Sequence, residues 1–372
     1  AVGVAYEGLT GDVDPGDTLL LDDGHLNLRV ERTDGTKIIC TVVVGGELAN
    51  NKGINRHGGG LSAPALTDKD REDIKRAAEA EIDWLAVSFV RNAEDVREAR
   101  KLLRDAGGAG YIVAKIERSE AVRNLEAIIV ASNAVMVARG DLGVETGYAG
   151  LTGLQKKIIR KARRRHKVAI TATQMMESMI NSQLPTRAEV SDVANAVMDG
   201  TDAVMLSAET AVGQYPVLAI KTMAEVCVGA EDYPLTSRKL AARDDARFEF
   251  IDEAIAMAVM YTANHMDVDA LIALTESGST SLWMSRIRSD IPIYAFSRQV
   301  TTLRRVALYR GVYPVLFDVP PATGDDLYHQ LFDRLLELDK AKEGDLVVFT
   351  KGDMRGVTGG TNAMTLLRVT SQ

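Results

Sequence analysis

From residue 61 onward, short and nearly continuous apolar runs alternate with longer stretches in which apolar residues recur every three or four positions. The first pattern predicts strands buried on both faces and the second predicts amphipathic helices. Strands are predicted over 82–90, 111–116, 134–138, 168–173 and 202–206. Helices are predicted over 67–80, 93–106, 119–131, 152–165, 174–180, 186–199 and 215–229. Thr67 followed three residues later by Asp70 marks one helix start. Strand then helix recurs five times, which predicts a parallel sheet clothed in helices.

Residues 1–60 follow another rule. An apolar run, Thr18 to Leu21, closes on Asp22-Asp23-Gly24, a hairpin signal, and is followed by alternating positions from His25 to Val30. Lys37 to Val44 is rich in Ile, Val and Thr, as strands are. Residues 50–60, ending in Gly58-Gly59-Gly60, read as a loop and hinge that carries Lys52. A third region begins near residue 241, after a linker. It is predicted to hold helices over 251–265 and 325–337, with strands over 270–274, 293–295, 311–316 and 345–350.

The chemistry gathers at the strand ends. They read Ser88-Phe89, Lys115-Ile116-Glu117, Arg139-Gly140-Asp141, Thr173-Gln174 and Ser207-Ala208-Glu209. In a (β/α)8 barrel this face carries the active site. Two carboxylates and a lysine suffice to hold a hard divalent cation with an anion beside it. The same residues also suit structural ion pairs under a barrel rim, and the pattern alone leaves both readings open. In the third region, Thr275-Glu276-Ser277-Gly278-Ser279-Thr280-Ser281 opens a helix after a strand. Hydroxyls and a glycine there suit either an anion site or simple capping. A second hydroxyl-rich loop, 355–362, could close over the same anion.

Composition narrows the partners. A net charge of −8 argues against a nucleic-acid binder. The one basic cluster, Arg160 to Lys167, reads as a solvated helix face. Cys40 and Cys227 form no CxxC or Cys/His cluster, so zinc and a disulfide framework are not expected. No apolar run is long enough to span a bilayer and no signal peptide is evident, so a cytoplasmic location is expected. The chain opens at Ala1, directly in strand-like sequence, and an N-terminal segment is expected to precede it.

Ala114-Lys115-Ile116-Glu117-Arg118, Met136 to Glu145, Ala172 to Met179, Pro185-Thr186-Arg187-Ala188-Glu189, Asp192 to Ala196 and Asp202 to Thr210 occur in this order. With Leu21-Asp22-Asp23-Gly24 and Asn51-Lys52-Gly53 they span nearly the whole chain, which resembles the pyruvate kinase family in its bacterial form. The resemblance implies an α/β architecture: a (β/α)8 TIM barrel with an inserted β-rich lid and a C-terminal α/β effector domain. On that scheme residues 1–60 belong to the lid, 61–240 supply barrel strands four to eight, and 241–372 form the effector domain. The first three barrel strands, a substrate-phosphate arginine and most K+ ligands would then precede Ala1.

The resemblance further implies transfer of a phosphoryl group from phosphoenolpyruvate to ADP, giving pyruvate and ATP, with Mg2+ or Mn2+ and K+ as cofactors. Glu117 and Asp141 would hold the divalent cation. Lys115 would meet the phosphoryl group in flight. The amides of Gly140 and Asp141 would take the substrate carboxylate. Thr173 would stand near the proton's route to carbon, in a relay through water with Ser207 and Glu209. Lys52 would contact nucleotide phosphates, and Arg139 would either orient loops or touch substrate. Thr275, Ser277, Gly278, Ser279 and Thr280 would bind a phosphorylated effector, a sugar phosphate or a nucleotide. A homotetramer is implied, with helix 186–199 near one interface. Asn133 stands where the family often has Asp. Metal-dependent pyruvate-enolate aldolases also pair a Glu and an Asp on barrel strand ends, but lack the lid and the last domain. A non-catalytic effector-binding relative is the third reading; the intact Lys115, Glu117, Asp141 and Thr173 speak against it.

Overall fold

A computed structural model describes residues 1–50, 52–233, 248–287, 289–318, 325–352 and 359–370. It divides into two compact units, Ala1–Val226 and Cys227–Gln372. Asn51 and residues 355–358 of the second hydroxyl-rich loop lie outside the described residues.

In the first unit, strands β1 (Thr18–Leu21), β2 (Leu26–Thr33), β3 (Ile38–Val44) and β4 (Ile54–Arg56) form an antiparallel sheet ordered β3-β2-β1-β4. It encloses a small core of Leu9, Val13, Leu19, Leu21, Leu26 and Val30. Strand β4 corrects the expectation of a loop over 50–60. It is three residues long between glycines, too short to show a period, and it exists because it pairs with β1 in the register Leu20↔Asn55. Gly58, Gly59 and Gly60 all have positive φ, +85°, +82° and +95°, which favours glycine. They are tied down: the Gly58 amide donates to the Glu145 carbonyl at 3.0 Å and the Gly60 amide to Glu120 Oε1 at 2.7 Å.

Strands β5 (Trp84–Val87), β6 (Tyr111–Ile116), β7 (Ala134–Ala138), β8 (Val168–Ala172) and β9 (Ala203–Val204) follow as a parallel sheet in sequential order. Every residue of β7 and β8 is buried, as expected of strands covered on both faces. Helices Asp68–Glu79, Ala93–Asp105, Leu125–Ala131 and Tyr148–Arg164 pack the outer side through Ile74, Val96, Leu103, Ile128, Ile158 and Ile159. Thr67 and Asp70 form a capping box, as do Thr186 and Glu189 at helix Arg187–Asp199. The basic cluster is partly neutralised by Glu126, which pairs with Lys161 at 2.8 Å and Arg165 at 2.6 Å. Asn133 accepts from Arg100 and from the Ile112 amide, stitching a helix to the foot of β6.

The second unit holds β10 (Ala270–Leu274), β11 (Ile293–Ser297), β12 (Val312–Leu316), β13 (Leu346–Lys351) and β14 (Ala363–Arg368), ordered β12-β11-β10-β13-β14. All neighbours are parallel except β14, which runs antiparallel to β13. Strand β14 was not among the expected elements; it is a partly exposed edge strand, so its apolar pattern is weak. Among the described residues no helix is long and apolar enough to cross a membrane.

Candidate active site

Strand β6 ends in Lys115, Ile116 and Glu117, and its pleat sends Ile116 into the core while Lys115 stays partly exposed. Lys115 Nζ donates to Ser88 Oγ at 2.7 Å and lies 3.1 Å from Glu117 Oε2. Glu117 is fully buried. Its Oε1 accepts the Phe89 amide at 2.6 Å, which is possible because Phe89 takes a left-handed φ of +56° just past β5. Oε2 faces Lys115 but has no aligned hydrogen-bond donor. A buried carboxylate oxygen without a hydrogen bond is costly unless something else meets it.

Strand β7 leads straight into a helix, Arg139–Thr146, where the sequence suggested a loop. Gly140 and Gly143 are poor helix formers, which hid it from the pattern. Asp141 thus lies in the first helical turn. Burial raises its pKa, with the Glu117 and Asp23 charges adding to the effect and Lys115 and a hydrogen bond from Asn55 opposing it. The Gly140 amide, expected to be free for substrate, instead donates to Thr173 Oγ1 at 2.8 Å. Thr173 Oγ1 in turn donates to the Ala172 carbonyl at 2.7 Å. Thr173 and Gln174 both have positive φ, +66° and +52°, a strained turn for such residues. Arg139 holds that turn. Its guanidinium is buried and donates to the Ala172, Thr173 and Gln174 carbonyls at 3.2, 2.7 and 3.2 Å, and to Asp192 at 2.5 Å. Arg139 is therefore an organiser of the strand-end loops.

Ser207 follows β9, and its amide donates to Glu209 Oε2 at 2.7 Å. Glu209 Oε1 accepts the Met176 amide at 3.1 Å. Each oxygen of this buried carboxylate accepts a backbone amide, so it clamps two loops together. Lys52 forms an ion pair with Asp22 at 2.8 Å beside the antiparallel sheet β1–β4. Three further contributors were not read from sequence. Ser88 was noted only as a polar strand end, yet it positions Lys115. Asp23 and Asn55 reach the Asp141 neighbourhood from the lid. The expected effector residues all lie in the second unit. Thr275 Oγ1 accepts the Gly278 amide at 2.8 Å, and Ser277 Oγ is 3.3 Å from Ser279 Oγ. The Thr280 hydroxyl is buried against Thr361 at 2.6 Å, so it links the two hydroxyl-rich loops.

Glu117 and Asp141 suit a divalent cation. One offers a buried oxygen without a hydrogen bond, the other a carboxyl whose ionisation is opposed by burial and by negative neighbours. Among the described residues no cluster of three or more His, Cys, Asp or Glu could hold a metal. Carboxylates and a lysine at the carboxyl ends of a parallel α/β sheet are suited to metal-assisted chemistry, as on the working face of a (β/α)8 barrel.

The chain matches the family model of the pyruvate kinase barrel domain over residues 1–220, and that of the pyruvate kinase alpha/beta domain over residues 253–367. It is 55% identical over 372 residues to pyruvate kinase II of Salmonella typhimurium, covering 99% of this chain and 77% of that protein. Identity to the pyruvate kinase of Haemophilus influenzae is 52% over 373 residues, with the same coverage. Identity to that of Mycobacterium intracellulare is 40% over 373 residues, again with 99% and 77% covered. The chain belongs to the pyruvate kinase family.

Proposed function

We propose that this protein transfers the phosphoryl group of phosphoenolpyruvate to ADP, giving pyruvate and ATP, at the carboxyl ends of β6, β7 and β8. The observation that carries the site assignment is Lys115, held by Ser88 and Glu117 beside the pair of carboxylates. An ammonium fixed there stabilises the charge spread over the equatorial oxygens of a phosphoryl group in flight. Family membership implies a divalent cation and K+, and Glu117 with Asp141 would hold the former, Mg2+ or Mn2+. That cation supplies charge stabilisation at the enolate oxygen. The Asp141 amide, in the first turn of helix Arg139–Thr146, is the donor we assign to the substrate carboxylate, since the Gly140 amide is committed to Thr173. Gly140 and the Ala172 carbonyl orient the Thr173 hydroxyl, which we assign, with water and Ser207, to the path of the proton delivered to carbon. Lys52 serves the nucleotide phosphates.

The lid sheet and the second α/β unit speak against an aldolase, and the intact strand-end set speaks against a non-catalytic relative. For the second unit we propose a phosphorylated effector, a sugar monophosphate or a nucleotide, at Thr275, Ser277, Gly278 and Ser279, with Thr280 bracing the loop from below. The assembly we propose is the homotetramer. A coupled assay of ATP formation from phosphoenolpyruvate and ADP tests the catalytic reading. Turnover by the wild type that is lost in Lys115→Met supports it, and turnover retained in that variant contradicts the role given to Lys115.

A further inference from the structure

Strand β4 alternates in a way its length conceals. Ile54 packs on the lid core, and Arg56 donates to the Asp12 carbonyl at 2.9 Å and to Asp17 Oδ1 at 3.0 Å. Both belong to the lid. Asn55, between them, must face the opposite side of the pleat. It is 7% exposed, the most buried residue of the three. That opposite side lies against helix Arg139–Thr146 of the barrel. There the Asn55 side chain lies beside two carboxylates one helical turn apart, Asp141 and Glu145, and opposes the burial that raises the pKa of each. Next to it, the Gly58 amide donates to the Glu145 carbonyl at 3.0 Å, so backbone and side chain pin the same seam.

A primary amide is suited to such a place. Its two N–H groups can serve two acceptors at once, and it adds no charge to a region that already holds Asp23, Asp141 and Glu145. Glu145 is itself held by the Ser119 amide at 2.8 Å, just past the β6 end that carries Glu117. The chain from Lys52 through Gly53 and Ile54 to Asn55 is short and is paired to β1 through Leu21↔Ile54 and Leu20↔Asn55. Lys52 and Asn55 therefore move with one sheet.

We propose that Asn55 is a positioning residue that orients the Asp141 carboxylate for the divalent cation and ties its placement to the seating of the lid that carries Lys52. This rests on the reading of Glu117 and Asp141 as the cation's ligands. Because binding couplings are reciprocal, cation binding at Asp141 and seating of the lid favour each other.

The test is a Mn2+ titration of the protein followed by electron paramagnetic resonance, with kcat and the KM values for both substrates measured alongside. Asn55→Ala is expected to weaken Mn2+ binding roughly 10-fold, within the range found when a ligand loses its hydrogen-bond partner. It is also expected to raise the KM for ADP together with a fall in kcat. Asn55→Ser, which keeps a short donor, is expected to fold and to recover part of both. Leu19→Ala serves as the control, since it loosens the lid core without touching the seam; it lowers the melting temperature and leaves Mn2+ affinity unchanged. Mn2+ affinity within twofold of wild type in both Asn55 variants overturns the proposal. Affinity lost equally in Leu19→Ala also overturns it, because lid stability alone then accounts for the effect. If Glu117→Gln leaves Mn2+ affinity unchanged, the metal reading fails and this proposal falls with it.

Discussion

The strand ends of the first unit and the 275–281 loop of the second both set polar groups at the start of a helix, but they differ in charge: carboxylates and a lysine at the former, mostly hydroxyls at the latter. Around the 275–281 loop Thr275, Ser277, Ser279 and Thr280 have partners, while the buried Ser281 hydroxyl has no hydrogen bond. Thr275 accepts from Gly278, Ser277 approaches Ser279, and Thr280 is buried against Thr361. At the strand ends, Glu117 keeps an oxygen with no hydrogen bond, and Asp141 is half-buried near other carboxylates. That arrangement costs folding energy, which the Lys115 ammonium 3.1 Å from Glu117 Oε2 offsets in part. The contrast fits the cation site proposed at the strand ends and the phosphate site proposed at the loop.

The largest effect is expected at Lys115. Lys115→Met should lower kcat by at least about 10³-fold, the scale of losing a charge aimed at the transition state, with smaller changes in KM. Steady-state assay of ATP formation checks this. Next comes Thr173→Ala, which leaves the Gly140 amide unpaired; a loss of about 10- to 100-fold in kcat is expected, with stability reduced by roughly 1–3 kcal/mol. Urea unfolding alongside the assay separates the two, and an unchanged kcat would remove Thr173 from the chemistry.

A third prediction concerns sign. The Asp141 pKa is raised in the folded state, so its contribution to stability is fully present below the unfolded carboxylate range and is lost as pH rises through the folded value. In chelator-treated protein at pH 7, Asp141→Asn should therefore raise stability, by on the order of 1 kcal/mol. The gain should vanish near pH 4, and melting curves across that range read it directly. The smallest effect belongs to the other region. Ser277→Ala with Ser279→Ala should change stability by less than about 0.5 kcal/mol and leave basal kcat alone. It should abolish activation by whichever sugar monophosphate or nucleotide activates the wild type. Unchanged activation would move the effector elsewhere.

What could be read beforehand follows the same physical line. Strands β6, β7 and β8 were legible because burial on both faces leaves unbroken apolar runs, and their polar ends stand out against them. Lys115, Glu117, Asp141 and Thr173 were found in that way and come together here on adjacent strand ends. The contributions of Ser88, Asn55 and Glu209 were not legible. Each acts through a partner distant in sequence, 27 residues for Ser88 and Lys115 and 33 for Glu209 and Met176. Strand β4 and helix Arg139–Thr146 were missed because glycines erase the local signal that tertiary pairing supplies.

The central claim is that Glu117 and Asp141 form one cation site beside Lys115. Mn2+ titration of wild type, Glu117→Gln and Asp141→Asn, followed by electron paramagnetic resonance, tests it most directly. Tight binding by the wild type and a loss of at least about 10-fold in each variant are expected. Wild-type affinity in either variant would contradict it.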